Sequence, residues 1–199
     1  MSRPAPLPPL EGVRLVSWDL DGTLYSARTL WWTIFKDFPR RVGRQGLASA
    51  RLDLACIRRF RRAVERQRHG PSQVLPGGAR EAEDEARATS LVLDALSQMS
   101  PSARALAWVE RIARAGVPQV VLSDLAPEAK LAALGIEGAF SRAYSCQALG
   151  FWKPSPVPFQ KIEAELQVLP QQHLHIGDRP ETDGEGARRA GCRFVAFKG

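Results

Sequence analysis

The sequence predicts an α/β protein in which a doubly wound parallel sheet carries an all-helical insert. Short apolar runs alternate with helical patterns through most of the chain, as in sheets built from βαβ units. Between residues 26 and 100 the strand patterns stop and only helical periodicity remains. A chain of 199 residues can bury the core of one domain that contains such an insert.

The first predicted strand is the run VRLVSW at 13–18, which is apolar enough to be buried in a parallel sheet. Later strand patterns each follow a helical pattern, and several of those helices are closed by glycine. We predict these strands at 117–122, 140–145, 173–176 and 193–197. The helices of the same region are expected at 103–115, 127–134, 159–166 and 181–190.

The insert is expected to contain three helices. The first runs from about residue 30 and ends at Pro39; the others span 48–67 and 79–99. On the second helix we expect Leu52 and Phe60 on the buried side. Trp31 and Trp32 either gate a site or pack in the core, and we expect core packing. The predicted domains are a flexible arm, an α/β core and the helical insert, at 1–12, 13–25 with 101–199, and 26–100.

Charge is concentrated in the insert. The chain has a net charge of +7, and residues 36–68 hold eleven basic side chains against three acids. This segment is a solvated helix face, a source of positive potential that attracts an anionic substrate, or a surface for nucleic acid or phospholipid. No aromatic residues alternate with these arginines and no nucleic-acid motif accompanies them, so a nucleic-acid partner is not expected.

Composition also bears on the cellular compartment. No apolar run approaches the ~20 residues of a membrane span, and the proline-rich start lacks the apolar stretch of a signal peptide. Three cysteines without paired spacing fit a reducing cytoplasm, without disulfides or zinc. We therefore expect a cytoplasmic protein, and nothing in the sequence indicates its oligomeric state.

Chemically useful side chains follow four of the predicted strands. Because the carboxyl ends of parallel strands meet at one rim of a sheet, these groups are expected to lie close together. A glycine turn after the first two acids brings backbone N–H groups toward an anion. Carboxylates, a hydroxyl and a lysine together suit phosphoryl transfer through an aspartate with Mg²⁺. The groups are Asp19, Asp21, Ser123, Lys153, Asp178 and Asp183.

Four motifs in this order resemble the haloacid dehalogenase superfamily of hydrolases. They are DLDGT at 19–23, VVLSD at 120–124, GFWKPSPVPF at 150–159 and HIGDRPETDGEGARRAG at 175–191. The chain looks like the phosphatase branch with a helical cap, similar to phosphoglycolate phosphatases. The resemblance covers 13–24 and 101–199 and places the insert at the cap position. It implies that the strand of Asp19 is central, between the strands of Ser123 and Asp178.

The resemblance also implies a role for each matching residue. Asp19 would be the nucleophile that forms an aspartyl-phosphate, and Asp21 would protonate the leaving group and then activate water, with Thr23 supporting Asp21. Lys153 would hold the phosphoryl group and steady Asp19. The implied phosphate-binding set is Leu20, Thr23, Ser123, Asp124 and Lys153. The implied Mg²⁺ ligands are Asp19, Asp21 through its backbone carbonyl, Asp178 and Asp183, the last being either a ligand or a residue that holds one.

Some positions depart from the family pattern or have no place in it. Asp124 stands where these enzymes often have asparagine, and a carboxylate there would weaken anion binding unless it points away. Trp152 either lines the substrate entrance or packs under the insert. His173 and His175 point the same way from one strand. With no cysteine or further histidine near them in sequence, we expect a structural role.

Alternatives to phosphatase activity remain open. Dehalogenation is disfavoured because Asp21, which dehalogenases lack, is present. A phosphomutase keeps the aspartate pair but usually carries a bulkier residue than Thr23. A non-catalytic protein could bind anions or nucleic acid through the arginine-rich insert. We expect Mg²⁺-dependent hydrolysis of a small phosphomonoester, with a second negative group on the substrate that meets insert arginines, the candidates being Arg58, Arg59, Arg61 and Arg62.

Overall fold

The computed structural model describes residues 7–70 and 72–198 and contains a five-stranded parallel sheet. The strand order is β3-β2-β1-β4-β5, so β1 is central. This confirms the prediction that the strand of Asp19 lies between the strand of Ser123 and the strand that precedes Asp178. The strands are β1 (Leu15–Trp18), β2 (Gln119–Ser123), β3 (Arg142–Ser145), β4 (His173–Gly177) and β5 (Arg193–Ala196).

Helices connect the strands and form the insert. Those of the insert are α1 (Ala27–Lys36), α2 (Phe38–Gln45), α3 (Leu47–His69) and α4 (Ala79–Leu96). Those of the sheet region are α5 (Ala103–Arg114), α6 (Glu128–Ala133), α7 (Cys146–Leu149), α8 (Val157–Leu166) and α9 (Glu185–Ala190). Short 3₁₀ turns occur at Glu137–Ala139 and Pro170–Gln172, and a π-helical turn occurs at Pro180–Gly184.

The sheet separates two hydrophobic cores because side chains alternate between its faces. Val16 and Trp18 of β1 join the larger core, which extends into the insert. Leu15 of β1 faces the smaller core, which includes Phe159 of α8. Ser17 is fully buried and shares hydrogen bonds with two histidines of β4. Polar residues are thus built into one face of the sheet, next to the smaller core.

The insert has four helices within the described residues, one more than predicted. The missed helix is α2, because Pro39 lies in its first turn instead of ending α1. Proline is favoured at that position since its missing N–H has no helical partner there. The expected buried side of α3 was also wrong for Leu52, which is exposed, whereas Ile57 is buried. Trp32 is 61% exposed, so the expectation that it packs in the core is wrong.

Acids of the insert partly neutralise its arginine-rich segment. Arg59 donates to both carboxylate oxygens of Asp84, with a 2.7 Å contact from Nε. Arg41 pairs with Asp94 at 2.7 Å. These contacts tie α2 and α3 to α4. The positive charge that remains for a ligand is therefore smaller than the sequence count indicates.

Residues 1–6 of the predicted arm lie outside the described residues, whereas its second half makes defined contacts. Leu7 and Leu10 pack against the larger core. The guanidinium of Arg193 donates to the backbone oxygens of Pro9 and Glu11 at 2.8 Å. No helix in the described part of the chain is long and apolar enough to cross a membrane.

Candidate active site

The centre of the site is a buried lysine between two aspartates. Asp19 directly follows β1, and its backbone N–H bonds to the Ile176 oxygen of β4 at 2.8 Å. Lys153 comes from the loop before α8. Its Nζ lies 2.6 Å from Asp19 Oδ1 and 2.6 Å from Asp183 Oδ1. Only 1% of the lysine side chain is exposed, so these carboxylates provide its counter-charge.

The lysine and the carboxylates of this group shift one another's pKa values. Burial raises the pKa of Asp19 well above its usual range, with repulsion from Asp183 and Asp21 adding to the effect and Lys153 opposing it. Burial would lower the pKa of Lys153, but the Asp183 and Asp19 carboxylates raise it well above its usual range. Burial would raise the pKa of Asp183, yet Lys153 and His175 lower it. The lysine therefore stays charged, and additional positive charge would favour ionised Asp19.

Three carboxylates have the arrangement of an oxygen-ligand metal site. One oxygen each from Asp19, Asp178 and Asp183 lies within 4.8 Å of the others. Asp178 Oδ1 is buried without a hydrogen-bond partner. Burial and repulsion from Asp183 raise the pKa of Asp178 to about 6. Mg²⁺ prefers such oxygen ligands and usually retains several waters, so this donor set fits Mg²⁺.

Two glycines allow these carboxylates to approach. Gly22 has φ +98°, and a Cβ there would lie 2.5 Å from Asp178 Oδ2. A Cβ on Gly177 would lie 2.5 Å from Asp183 Oδ2. Asp183 itself sits in the π-helical turn and accepts a 3.0 Å bond from the Arg179 N–H. The backbone around Gly22, Gly177 and Arg179 therefore places the Asp178 and Asp183 carboxylates close to the site.

Asp21 is held by two residues that the motifs do not include. Lys130 Nζ lies 2.7 and 2.8 Å from the two Asp21 oxygens, and the Tyr25 hydroxyl donates to the same carboxylate. Partial burial would raise the pKa of Asp21, but Lys130 and Tyr25 lower it overall. Lys130 lies on α6, and its only sequence signal is that it is the one lysine between residues 101 and 152.

Three other residues were predicted to contact the phosphate, namely Thr23, Ser123 and Leu20, and their side chains point in different directions. The Thr23 hydroxyl donates to Asp19 Oδ2 at 3.1 Å, and the expectation that it supports Asp21 is not met in this arrangement. Ser123 ends β2 with a buried Oγ that has no hydrogen-bond partner. Leu20 is buried in the larger core, so only its backbone can meet a phosphate. The turn after Asp19 thus directs Thr23 back toward the first carboxylate.

Asp124 lies in the cavity next to the site, where the insert compensates its charge. Arg68 of α3 forms an ion pair with Asp124 and another with Glu65 at 2.9 Å. Arg179 lies 3.5 Å from the same glutamate. The expected repulsion between this carboxylate and an anion is therefore reduced by an arginine. Sequence reasoning could not pair residues 68 and 124, because they lie on different elements without a shared motif.

A cavity of about 630 Å³ connects the carboxylates to the insert. Its outer wall is largely apolar and comes from α1, α3 and α4. The apolar members are Ala27, Leu30, Trp31, Ile57, Phe60, Val64, Ala88 and Val92. Arg61 and Arg62 also line it, whereas Arg58 and Arg59 do not. The guanidinium of Arg61 lies 5.3 Å from the ring centre of Trp31. Of the four candidate arginines, only two are thus placed to meet a substrate.

Trp152 packs under the insert and does not line the cavity. It is 2% exposed, and its ring N–H donates to Gln67 Oε1 of α3 at 2.7 Å. Its backbone N–H donates to the Ser72 oxygen at 2.7 Å. These contacts connect the insert to the loop that carries Lys153.

A polar row runs from the site along one face of the sheet. His175 Nε2 lies 3.6 Å from Asp183 Oδ1, and its Nδ1 lies 2.8 Å from Ser17 Oγ. Ser17 lies 2.7 Å from His173 Nε2. Burial lowers the pKa of His175 to about 4. The structural role expected for the histidines is compatible with this row. Cys192, 19 residues from His173 in sequence, nevertheless lies close in space, with its Sγ 3.4 Å from His173 Nδ1.

Residues 13–191 match a family model described as haloacid dehalogenase-like hydrolase. A curated relative is the glyceraldehyde 3-phosphate phosphatase of Methanopyrus kandleri, 35% identical over 69 residues. That match covers 35% of this chain and 30% of the relative. The chain therefore matches less than a third of this relative's length.

Similar solved structures include both phosphatases and dehalogenases. A 2-haloacid dehalogenase from Pseudomonas syringae pv. Tomato DC3000 has a TM-score of 0.66 at 18% identity, covering 93% of this chain and 86% of that one. A predicted phosphoglycolate phosphatase from Haemophilus somnus 129pt has a TM-score of 0.64 at 24% identity, with coverage of 93% and 85%. At these identities the likeness shows the fold alone.

Proposed function

The chain belongs to the haloacid dehalogenase-like hydrolases, and on that premise we propose that it is a Mg²⁺-dependent phosphatase of small phosphomonoesters. The observation that supports this most strongly is the group formed by Asp19, Lys153, Asp183 and Asp178. It combines a buried carboxylate, a lysine 2.6 Å away and an oxygen-ligand set within 4.8 Å. A second carboxylate, Asp21, lies two residues after the first and supplies the acid and base that a phosphate ester requires.

In the proposed reaction, Asp19 attacks phosphorus and the bond from phosphorus to the leaving oxygen breaks. The negative charge of the bound phosphate would oppose the effect of Lys130 on the pKa of Asp21 and favour its protonated form. The Asp21 carboxyl group then gives its proton to the leaving oxygen, so an alcohol leaves and an aspartyl-phosphate remains. Asp21 then accepts a proton from water as the water oxygen attacks phosphorus, which releases inorganic phosphate and regenerates Asp19. Lys153 and the Ser123 hydroxyl would hold phosphoryl oxygens, since Ser123 Oγ is otherwise unpaired.

Mg²⁺ would be held by Asp19, Asp178 and Asp183 and would reduce the repulsion between the Asp19 carboxylate and the phosphate. The fit rests on the unpaired Asp178 oxygen and on the close approach that Gly22 permits. Lys153, whose Nζ lies 2.6 Å from one oxygen of Asp19 and one of Asp183, would neutralise part of the negative charge of these carboxylates. Retention of Asp21 favours phosphate esters over the haloacids of the dehalogenase branch.

The cavity indicates which phosphomonoesters would fit. Its apolar outer wall favours a substrate with a carbon body larger than that of a two-carbon acid, because such a body removes apolar surface from water. Arg61 and Arg62 line the same cavity, and neither forms an ion pair with an acid among the described residues. We propose that a second anionic group on the substrate meets Arg61, which the Trp31 ring supports from the side.

Phosphate release from a panel of phosphomonoesters tests the reaction. Wild type should release phosphate only with Mg²⁺, and Asp19→Asn should lose activity by about 10³-fold or more, since it lacks the nucleophile. A folded wild type that binds Mg²⁺ but releases no phosphate across the panel would overturn the proposal and favour a mutase or a binding protein.

The substrate proposal needs a separate comparison. Arg61→Ala should raise KM about tenfold for esters with a second anionic group and leave KM for p-nitrophenyl phosphate unchanged. Arg58→Ala is a matched control, because this exposed arginine of the same helix does not line the cavity. Equal KM changes in both variants would show that general charge, not a contact with Arg61, attracts the substrate.

A further inference from the structure

Three potential metal ligands meet at the amino-terminal end of β4, outside the cavity. His173 is the first residue of this strand, Glu163 lies on α8, and Cys192 lies between α9 and β5. Glu163 Oε1 is 2.9 Å from His173 Nδ1 and 2.7 Å from Cys192 Sγ. The sulfur is 3.4 Å from the same ring nitrogen. One sulfur, one nitrogen and one oxygen therefore face a common point.

Their separations are close to those in a tetrahedral zinc site. Ligand atoms at ~2.0–2.3 Å from Zn²⁺ lie roughly 3.3–3.7 Å from each other. The sulfur–nitrogen separation of 3.4 Å already falls in this range. The two distances to Glu163 are shorter by less than about 1 Å, which small side-chain rotations of the glutamate can supply.

The surroundings of His173 are those of a metal-binding histidine. Its second ring nitrogen, Nε2, lies 2.7 Å from Ser17 Oγ, which is itself 2.8 Å from His175 Nδ1. Zinc-bound histidines nearly always have such a partner on the other nitrogen, because it fixes the ring orientation and tautomer. The Phe159 ring packs beside His173 with a centre-to-centre distance of 6.2 Å. The ring is thus held in place on both sides.

The donor set also selects the kind of metal. Thiolate and imidazole suit Zn²⁺, whereas the all-oxygen set of the active site suits Mg²⁺. Glu163 and His173 are buried, and Cys192 is partly exposed, which leaves a path for the ion and for a water as fourth ligand. We propose that Glu163, His173 and Cys192 form a Zn²⁺ site separate from the active site. The bound ion would connect α8, β4 and the start of β5.

Cobalt substitution tests the site directly. The full chain, stripped with EDTA and returned to excess Mg²⁺ to occupy the carboxylate site, is titrated with Co²⁺ and then with Zn²⁺. We expect a sulfur-to-cobalt charge-transfer band in the near ultraviolet that saturates at one equivalent and disappears when Zn²⁺ displaces Co²⁺. Cys192→Ser should lose the band and bind Zn²⁺ at least about 100-fold more weakly, as measured with a competing chromophoric chelator.

Cys56→Ser is the matched control, because Cys56 is a buried free cysteine of the insert and should keep the band. Zn²⁺ should raise the unfolding temperature of wild type and of Cys56→Ser but not of Cys192→Ser. If Cys192→Ser does not fold, the charge-transfer band of the wild type still shows whether a cysteine binds the metal. The band should then persist in Cys146→Ser and in Cys56→Ser, which excludes these two cysteines as the ligand. Absence of the band in wild type, or its loss in Cys56→Ser alone, would overturn the proposal.

Discussion

Lys153→Met removes the one lysine or arginine, among the described residues, that forms ion pairs with both Asp19 and Asp183. Its Nζ lies 2.6 Å from an oxygen of each, and its side chain is 1% exposed. Methionine fills a similar volume but leaves two buried carboxylates that repel each other. Removing one partner of a buried ion pair costs about 3–5 kcal/mol, because the remaining charge is left uncompensated.

This cost translates into a large shift in unfolding temperature. For a chain of this size, 1 kcal/mol corresponds to about 2–4 °C, so Lys153→Met should unfold about 10 °C below wild type in EDTA. Mg²⁺ should narrow the difference, because a cation between the carboxylates replaces part of the lost positive charge. Thermal unfolding followed by circular dichroism, with and without Mg²⁺, measures both effects.

Lys161→Met is the matched control for this prediction. Lys161 is exposed, and among the described residues its side chain bonds only to the backbone oxygen of Leu149, at 2.7 Å. Its substitution should change the unfolding temperature by about 2 °C or less under both conditions. If Lys153→Met unfolds within about 2 °C of wild type in EDTA, the buried charge network does not have the energetic role assigned to it.

Other predictions concern Asp21, the glycine turn and the insert. Lys130→Met should lower kcat about tenfold more for alkyl phosphates than for p-nitrophenyl phosphate, because only a poor leaving group needs a well-placed Asp21; equal losses would assign Lys130 another role. Gly22→Ala should weaken Mg²⁺ binding about tenfold or more, as measured by calorimetry, because the added Cβ would displace the Asp178 carboxylate. Gly12→Ala is the control and should leave Mg²⁺ binding unchanged, because Gly12 also has a positive φ but a Cβ there would meet no atom within 4 Å. Hydrogen bonds from Arg59 lower the pKa of Asp84 to about 2. The pair therefore stabilises the fold at pH values above about 3.9, the ordinary aspartate pKa, and this contribution is lost as the pH falls toward 2. Asp84→Asn should accordingly reduce the unfolding temperature at pH 7, with the difference from wild type shrinking between about pH 4 and about pH 2; a constant difference across that range would contradict the linkage.

The sheet and its rim could be predicted from sequence because local signals determined them. The apolar run before Asp19 and the acids after β4 each identify a strand and its carboxyl end. In parallel topology these ends share one rim, so the approximate neighbourhood of Lys153 and Asp183 followed from chain order. Their distances and shared hydrogen bonds required the structure.

Other features depended on contacts between distant segments. Lys130 reaches Asp21 across 109 residues, and Arg68 reaches Asp124 across 56, with no motif to indicate either pair. Cys192 and His173 meet because β5 pairs with β4, which brings the start of one strand beside the start of the other. Within the insert, the missed α2 shows how one proline can begin a helix as well as end one.

The nature of the intermediate tests the proposed chemistry most directly. The measurement uses Asp21→Asn with p-nitrophenyl phosphate in Mg²⁺, because this leaving group departs without a proton whereas the second step still needs a base. We predict a burst of one nitrophenolate per site, and borohydride reduction of the quenched protein should modify position 19 alone in peptide mass spectra. A wild type that turns over steadily while this variant shows neither the burst nor modified Asp19 would contradict hydrolysis through an aspartyl-phosphate.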